Sequence, residues 1–271
     1  MFALEGVSPD MARAGISLLV TSPGLVMSPF HFFSTGYGCS VAALAAHSLL
    51  SRKEAIAPAG LMQASLLGLF GARLGGFLFI RSYQESYQNR ELMKELKKKM
   101  GSMSIFKRAM TWIPISLVYL LFVEPSQSTI VQNTTPLTNP FFIAGMATAT
   151  AGFIIESVAD SQKLALKKKE SEAFCRTGLY SLVRHPNYLG EIMFWAGHLA
   201  AGLPALAGDW KRLAMAVLGA GVNLQIMLAA STRLDARQED KYGRRKDWQE
   251  YRKSTACRLF PGIEGPPPAP K

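Results

Sequence analysis

Between Gly178 and Glu191 the chain reads Gly-Leu-Tyr-Ser-Leu-Val-Arg-His-Pro-Asn-Tyr-Leu-Gly-Glu, and this stretch gathers the residue types best suited to chemistry. Pro186 has a fixed φ and no N–H to leave unpaired, so it suits the first turn of a helix. The residues after it, from Asn187, Tyr188 and Leu189 through Ile192, Met193, Phe194 and Trp195, read as a long apolar helix. Arg184 and His185 stand immediately before it. A helix start presents free backbone N–H groups and the positive end of the dipole, so with a guanidinium and an imidazole alongside it should attract an anion. We read this corner as the seat of the phosphates, or another charged part, of a cofactor at a membrane edge.

Further constellations surround it. On the helix opened by Pro186, residues Tyr188, Glu191, Trp195 and His198 share one face at i, i+3, i+7 and i+10. An acid and an imidazole are costly in lipid, so the face should turn to the protein interior or a wet cavity. The alternative is an interfacial Glu191 paired with a basic loop residue and a His198 making one structural hydrogen bond. Glu156 and Asp160, spaced i, i+4, either form a helix-end salt bridge with Lys163 or Arg184, or fix Arg184 and His185 and hold a ribose hydroxyl. Arg73 lies mid-span and requires a partner, for which Glu191 or a cofactor phosphate would serve. Gly71, Gly75 and Gly76 beside it would let another helix come close. Near the C-terminus, Trp248 and Tyr251 could stack on a flat ring while Arg244, Arg245, Lys246 and Arg252 meet phosphates. The same stretch also reads as an amphipathic surface helix whose bases touch lipid heads.

These residues must be held by membrane helices. Of 271 residues, 49% are hydrophobic, and they come in long blocks divided by short, densely basic segments. The net charge of +11 suits basic loops facing anionic lipid better than nucleic-acid binding, because the bases adjoin apolar spans. Candidate spans are Phe30 to Leu50, Ala59 to Ile80, Ala109 to Val123, Phe141 to Val158, Tyr188 to Leu206 and Leu213 to Ala230. A seventh, Gly15 to Met27, is short and broken by Pro23 with Pro29, and reads either as a short span or as a segment lying in the interface. Ala109 to Val123 spans only about 22 Å at helical rise, a little short for a bilayer core. The expected fold is therefore all-α, a polytopic bundle of six or seven spans with a basic cytosolic C-terminal segment. We divide it into N-terminal membrane segments (1–58), a membrane domain with the cofactor site (59–263) and a disordered tail (264–271).

Lys and Arg number eight in residues 81–108, six in 160–187 and ten in 231–271, against none in 124–140 and two in 207–212. The three rich segments should therefore be cytosolic, with Arg52 and Lys53 the exceptions. Residues Tyr83 to Met100 are expected to form a charged helix at the membrane surface. The triplet Asn133-Thr134-Thr135 is a glycosylation sequon on a short loop, which we expect to stay unmodified. Cys39, Cys175 and Cys257 are scattered, so neither a disulfide framework nor a zinc or other metal site is expected. Acids in the first ten residues and the lack of a basic leader argue against a cleaved signal peptide. No GxGxxG after a strand, GxxxxGK[ST], HExxH or GxSxG occurs, which disfavours Rossmann, ATPase, zincin and hydrolase chemistry.

The Arg-His-Pro-Asn-Tyr-Leu-Gly-Glu motif follows a Gly-Leu-Tyr turn. It is preceded by Ile-Ile-Glu-Ser-Val-Ala-Asp-Ser-Gln-Lys at 154–163 and followed by Lys241-Tyr242-Gly243, Trp248, Tyr251 and Arg258. Together these resemble a membrane family related to the C-terminal domain of steroid 5-alpha-reductases. The segment from Arg73 to Arg81 looks like that family's earlier Arg-Leu segment, and the resemblance covers roughly residues 65–263. The wider superfamily includes sterol C14-reductases and isoprenylcysteine and phospholipid methyltransferases.

Reductase members use NADPH in a pocket opening to the cytosol, and methyltransferase members put S-adenosylmethionine in a comparable place. The resemblance thus implies an NADPH-dependent reductase of a sterol-like or enone lipid, lodged in the endoplasmic reticulum. A methyltransferase and a non-catalytic lipid-binding protein are the alternatives. Arg184, His185, Asn187 and Tyr188 would meet the cofactor, Arg244, Arg245, Trp248 and Tyr251 would close over it, and Tyr188 and Glu191 would relay the proton. Sterol reductases carry adjacent acids shortly before Lys-Tyr-Gly, where this chain has Arg233-Leu234-Asp235 with a single acid.

Overall fold

The computed structural model describes residues 8–26, 30–52, 54–83, 94, 98 and 101–260. The tail at 264–271 and most of the surface helix expected between Tyr83 and Met100 lie outside the described residues. Helix takes in 81% of those described residues, and no strand occurs among them. Ten α-helices occur among them: α1 (Pro9–Thr21), α2 (Pro23–Val26), α3 (Phe30–Phe33), α4 (Thr35–Leu50), α5 (Pro58–Ser82), α6 (Ile105–Gln132), α7 (Pro140–Lys169), α8 (Pro186–Leu206), α9 (Trp210–Tyr242) and α10 (Lys246–Ser254). A 3₁₀ turn at Gly178–Ser181 precedes α8.

Local chemistry accounts for many of the ends. Proline begins α1, α5, α7 and α8, where its missing N–H costs nothing. Ser8 caps α1 through the Met11 amide at 3.3 Å, and Asn139 Oδ1 accepts from Phe141 and Phe142 to cap α7. Asp209 Oδ1 does the same for α9, taking the amides of Lys211 and Arg212 at 3.1 Å. The expected span from Phe30 to Leu50 breaks at Ser34, whose dihedrals (φ −113°, ψ −104°) leave the helical region. In contrast, α6 runs on past Val123, through Glu124 and Pro125, to Gln132.

Four helices are long and apolar enough to cross a bilayer, namely α5, α6, α7 and α9. The chain is an integral membrane protein. The expected count of six or seven is not reached by this measure among the described residues. At 16 residues α4 extends only about 24 Å, and Glu191 and His198 lower the apolarity of α8. Leu69, Phe79, Leu117, Ile154, Leu218 and Ile226 are large, exposed side chains of the four spans, as lipid-facing surface requires.

The chain forms two compact units: Met1–Ile143 with Leu199–Gly219, and Ala144–His198 with Ala220–Lys271. In the first, α4 and α5 pack backbone to backbone. A Cβ added at Gly71 would lie 2.5 Å from the Ala42 amide nitrogen and 2.7 Å from the Gly38 carbonyl oxygen. Gly71 and Gly75 thus allow the close helix contact expected of them, whereas Gly76 meets nothing within 4 Å. Val41, Leu44, Leu67, Phe70 and Leu74 fill the surrounding core. The loop after α4 is clipped by Asn133, whose Oδ1 accepts the Ala57 amide at 2.6 Å while Nδ2 donates to the Ala55 carbonyl. Arg52 in that loop donates to the Val131 carbonyl and pairs with Glu54, which neutralises a charge the orientation rule leaves misplaced.

In the second unit α7 and α8 repeat the arrangement. A Cβ at Gly190 would sit 2.5 Å from the Glu156 amide nitrogen, one at Gly152 2.5 Å from the Gly190 carbonyl oxygen, and one at Gly197 2.6 Å from the Gly145 carbonyl oxygen. The beginning of α8 is therefore fixed against α7 by main-chain contact, a rigid base for the motif it carries.

Candidate functional site

The second unit builds its polar centre on one carboxylate. Arg184 grips Asp235 with both prongs of its fork, Nε to Oδ1 at 3.2 Å and Nη2 to Oδ2 at 2.8 Å. His185 Nε2 lies 2.7 Å from Asp235 Oδ1. Nη1 of Arg184 donates to the carbonyls of Thr255 and Ala256 at 3.0 and 2.6 Å. The main chain completes the clasp, since the amides of Arg184 and His185 donate to the carbonyls of Cys257 and Arg258 at 3.1 Å each. Two stretches more than 70 residues apart in sequence are thereby tied together at the start of α8.

Arg184 and His185 are 4% and 1% exposed, so these bonds replace water almost completely. Burial holds the His185 imidazole below its ordinary pKa, with Asp235 opposing the effect. A neutral ring protonated on Nε2 donates to Asp235, which leaves Nδ1 as an acceptor. The ring also stacks on Tyr188, with centroids 5.6 Å apart and planes inclined at 29°.

Behind this centre lies an aromatic core of Phe174, Tyr242, Trp248 and Tyr251. Trp248, 1% exposed, donates its indole N–H to Glu239 at 3.0 Å, and Arg252 pairs with the same carboxylate. Tyr251 donates to the Tyr180 carbonyl at 2.7 Å, and Tyr180 to the Ala159 carbonyl at 3.3 Å. Burial raises both phenols above their ordinary range, so each stays a neutral donor. Gly178 takes a left-handed φ of +64° over the Gln162 amide, whose Oε1 accepts from Leu179 at 3.1 Å. A side chain there would be strained and would strike Gln162.

A family model described as a protein of unknown function, DUF1295, matches residues 31–255, which is most of the chain. The chain belongs to DUF1295. No curated protein and no solved structure matches it. The DUF1295 match takes in the Arg184–Glu191 motif, Asp235 and all of α10.

Within this DUF1295 chain, the site residues named from sequence fall into three groups. Arg184, His185 and Tyr188 come together around Asp235 and the start of α8. Asn187 and Glu191 lie one turn apart on α8. Asn187 Oδ1 is buried without a hydrogen-bond partner among the described residues, and Glu191 Oε1 accepts from Asn223 Nδ2 at 3.0 Å. Trp248 and Tyr251 are the buried residues of α10, while Arg244 is exposed and Arg245 closes a two-pronged pair with Asp247 at 3.0 and 2.7 Å. Arg73 lies over the Phe77 ring at 5.3 Å. His198 packs between Phe194 and Trp195.

Sequence reasoning left Asp235 out of the site and did not single out Asn223 or Glu239. A signal was present: Asn223, Met227, Ser231, Asp235 and Glu239 recur every four residues, and the first three are buried. That inward stripe continues past Ala230, where the apolar block stops.

Proposed function

We propose that this protein is a membrane-embedded reductase that draws a hydride from NADPH and delivers it to a lipidic substrate of the sterol-like or enone type. We place its basic C-terminal segment at the cytosolic face of the endoplasmic reticulum. The observation that carries the reading is the convergence of two separated stretches on Arg184 and His185. The Arg-His-Pro motif and the segment after Lys241-Tyr242-Gly243 are the parts that resemble steroid 5-alpha-reductases and sterol reductases, and they meet where Arg184 holds the Thr255 and Ala256 carbonyls while its fork grips Asp235. Asp235 is also the one acid in the place where sterol reductases carry a pair.

The residues fit such a cofactor in part. A buried amide oxygen without a donor among the described residues, Asn187 Oδ1, suits a ribose hydroxyl or a carboxamide N–H. Arg244, exposed within the basic segment, is available for phosphate. Arg184 and Arg245 spend their forks on Asp235 and Asp247, so in this reading Arg184 is a positioning residue that holds the C-terminal segment over α8. When bound, NADPH supplies the hydride. His185 presents Nδ1 with its ring held by Asp235 and Tyr188, Tyr188 offers a phenol proton, and Glu191, oriented by Asn223, restores it. The same engagement of two arginines by carboxylates favours a second reading, because it leaves less positive charge for a pyrophosphate. S-adenosylmethionine carries no phosphate, and a lipid or isoprenylcysteine methyltransferase would use the same acceptors.

The test is NADPH oxidation by membranes holding the His185→Ala variant, supplied with a panel of sterol and prenyl enones. Loss of turnover with the protein still inserted supports the reductase. Turnover equal to the unmodified protein removes the motif from the mechanism.

A further inference from the structure

The first unit contains a buried charge network that the reductase reading does not use. Glu124, on α6, is 1% exposed and Arg13, on α1, is 5% exposed. Arg13 Nη1 reaches Glu124 Oε2 at 3.4 Å, and Arg212, on α9, reaches Oε1 at 2.7 Å. Ser128 adds a hydroxyl to Oε1 at 3.1 Å. The outer carboxylates, Asp10 on Arg13 and Asp209 on Arg212, have side chains 72% and 38% exposed, so water screens them. Arg13 and Glu124 form the buried pair, while Arg212, 30% exposed, stands with the two outer carboxylates towards water. The buried pair keeps a donor without an acceptor, because Arg13 Nε is buried and hydrogen-bonded to nothing among the described residues.

A buried N–H left unmade costs its full desolvation, and a compact oxyanion that accepts from it would recover that cost. Hydroxyl-bearing and amide side chains occupy the same ends of the helices: Ser48 bonds Gln127 at 2.6 Å and Thr129 bonds Gln63 at 2.7 Å. The half-buried Arg212, 30% exposed, is the side from which a ligand can enter. We infer that Arg13, Glu124 and Arg212 form a binding site for an oxyanion, carried by a lipid headgroup or by a free small molecule. Arg13 Nε and the Arg212 guanidinium are its donors, and Glu124 acts as the counter-charge that sets its affinity.

The experiment uses the full chain, stripped of lipid in a neutral detergent, and follows its unfolding midpoint in inorganic phosphate and in dioctanoyl phosphatidic acid. At ligand roughly 100-fold above its dissociation constant the midpoint should rise by about 5 °C or more. A rise with both probes assigns a free oxyanion, and a rise with phosphatidic acid alone assigns a lipid headgroup. Arg13→Gln should abolish the rise. Glu124→Gln should lower the midpoint without ligand yet enlarge the rise, since it leaves two positive charges facing the anion. A network that only staples helices would leave the ligand-dependent rise unchanged in either variant. That result, or no rise with either probe, overturns the assignment.

Discussion

Replacing Asp235 with Ala tests what the Arg184 and His185 clasp contributes. The change removes the acceptor of two guanidinium bonds and one imidazole bond, and leaves Arg184 buried without its counter-charge. Breaking a buried pair from one side costs about 3–5 kcal/mol, and the 15% exposure of the Asp235 side chain argues for the lower end. At about 2–4 °C per kcal/mol for a domain of 150–250 residues, the unfolding midpoint should fall by roughly 6–12 °C. The damage should be local first, because Arg184 also holds the Thr255 and Ala256 carbonyls. Trypsin under native conditions should then cut faster at Lys253 and Arg258. The readouts are thermal unfolding of the purified protein in detergent and the time course of that cleavage. A midpoint within 1 °C of the unmodified protein (roughly the shift from a mere ~0.3 kcal/mol), with cleavage unchanged, would refute the clasp as a stabilising element.

Three further outcomes follow from the geometry. His185 is held below its ordinary value of 6.5 by burial, so above that pH its ring is neutral in both folded and unfolded chains. As pH falls through 6.5 the unfolded chain takes the proton first, and stability should decline until the folded value is passed; in Asp235→Asn, which loses the group that opposes the shift, unfolding titrations should place the end of that window lower. Gly190→Ala puts a carbon against the main chain of Glu156, so α7 and α8 must separate; a loss of about 1–3 kcal/mol in chemical unfolding is expected, and Gly76→Ala, which meets open space, is the neutral comparison. Trp248→Ala empties a fully buried position and removes one of the two donors to Glu239, which should cost about 3–5 kcal/mol and expose Phe174 and Tyr242 to a hydrophobic dye.

Much of this fold was legible in residue order, for physical reasons that can be named. Pro186 opened its helix as expected because proline suits a first turn, and Pro23 marked a real break. The α6 span was underestimated because Glu124 and Pro125 look like its end. The acid is instead held by Arg13, Arg212 and Ser128, partners 111, 88 and 4 residues away, and no local pattern reveals such distant pairing. Arg184 and His185 both turn to Asp235, 51 and 50 residues further along the chain, a separation at which spacing near the motif gives no signal. Trp248 and Tyr251 have the right types for a stacking platform. Their burial against Phe174 and Tyr242 depends on a packing partner that spacing alone does not supply.

The most direct measurement of the central claim is an equilibrium titration of the purified protein with NADPH and, separately, with S-adenosylmethionine, repeated on His185→Ala. The account predicts saturable NADPH binding that His185→Ala abolishes, and no comparable binding of S-adenosylmethionine. Tight S-adenosylmethionine binding without NADPH binding, or NADPH affinity indifferent to His185, would contradict it.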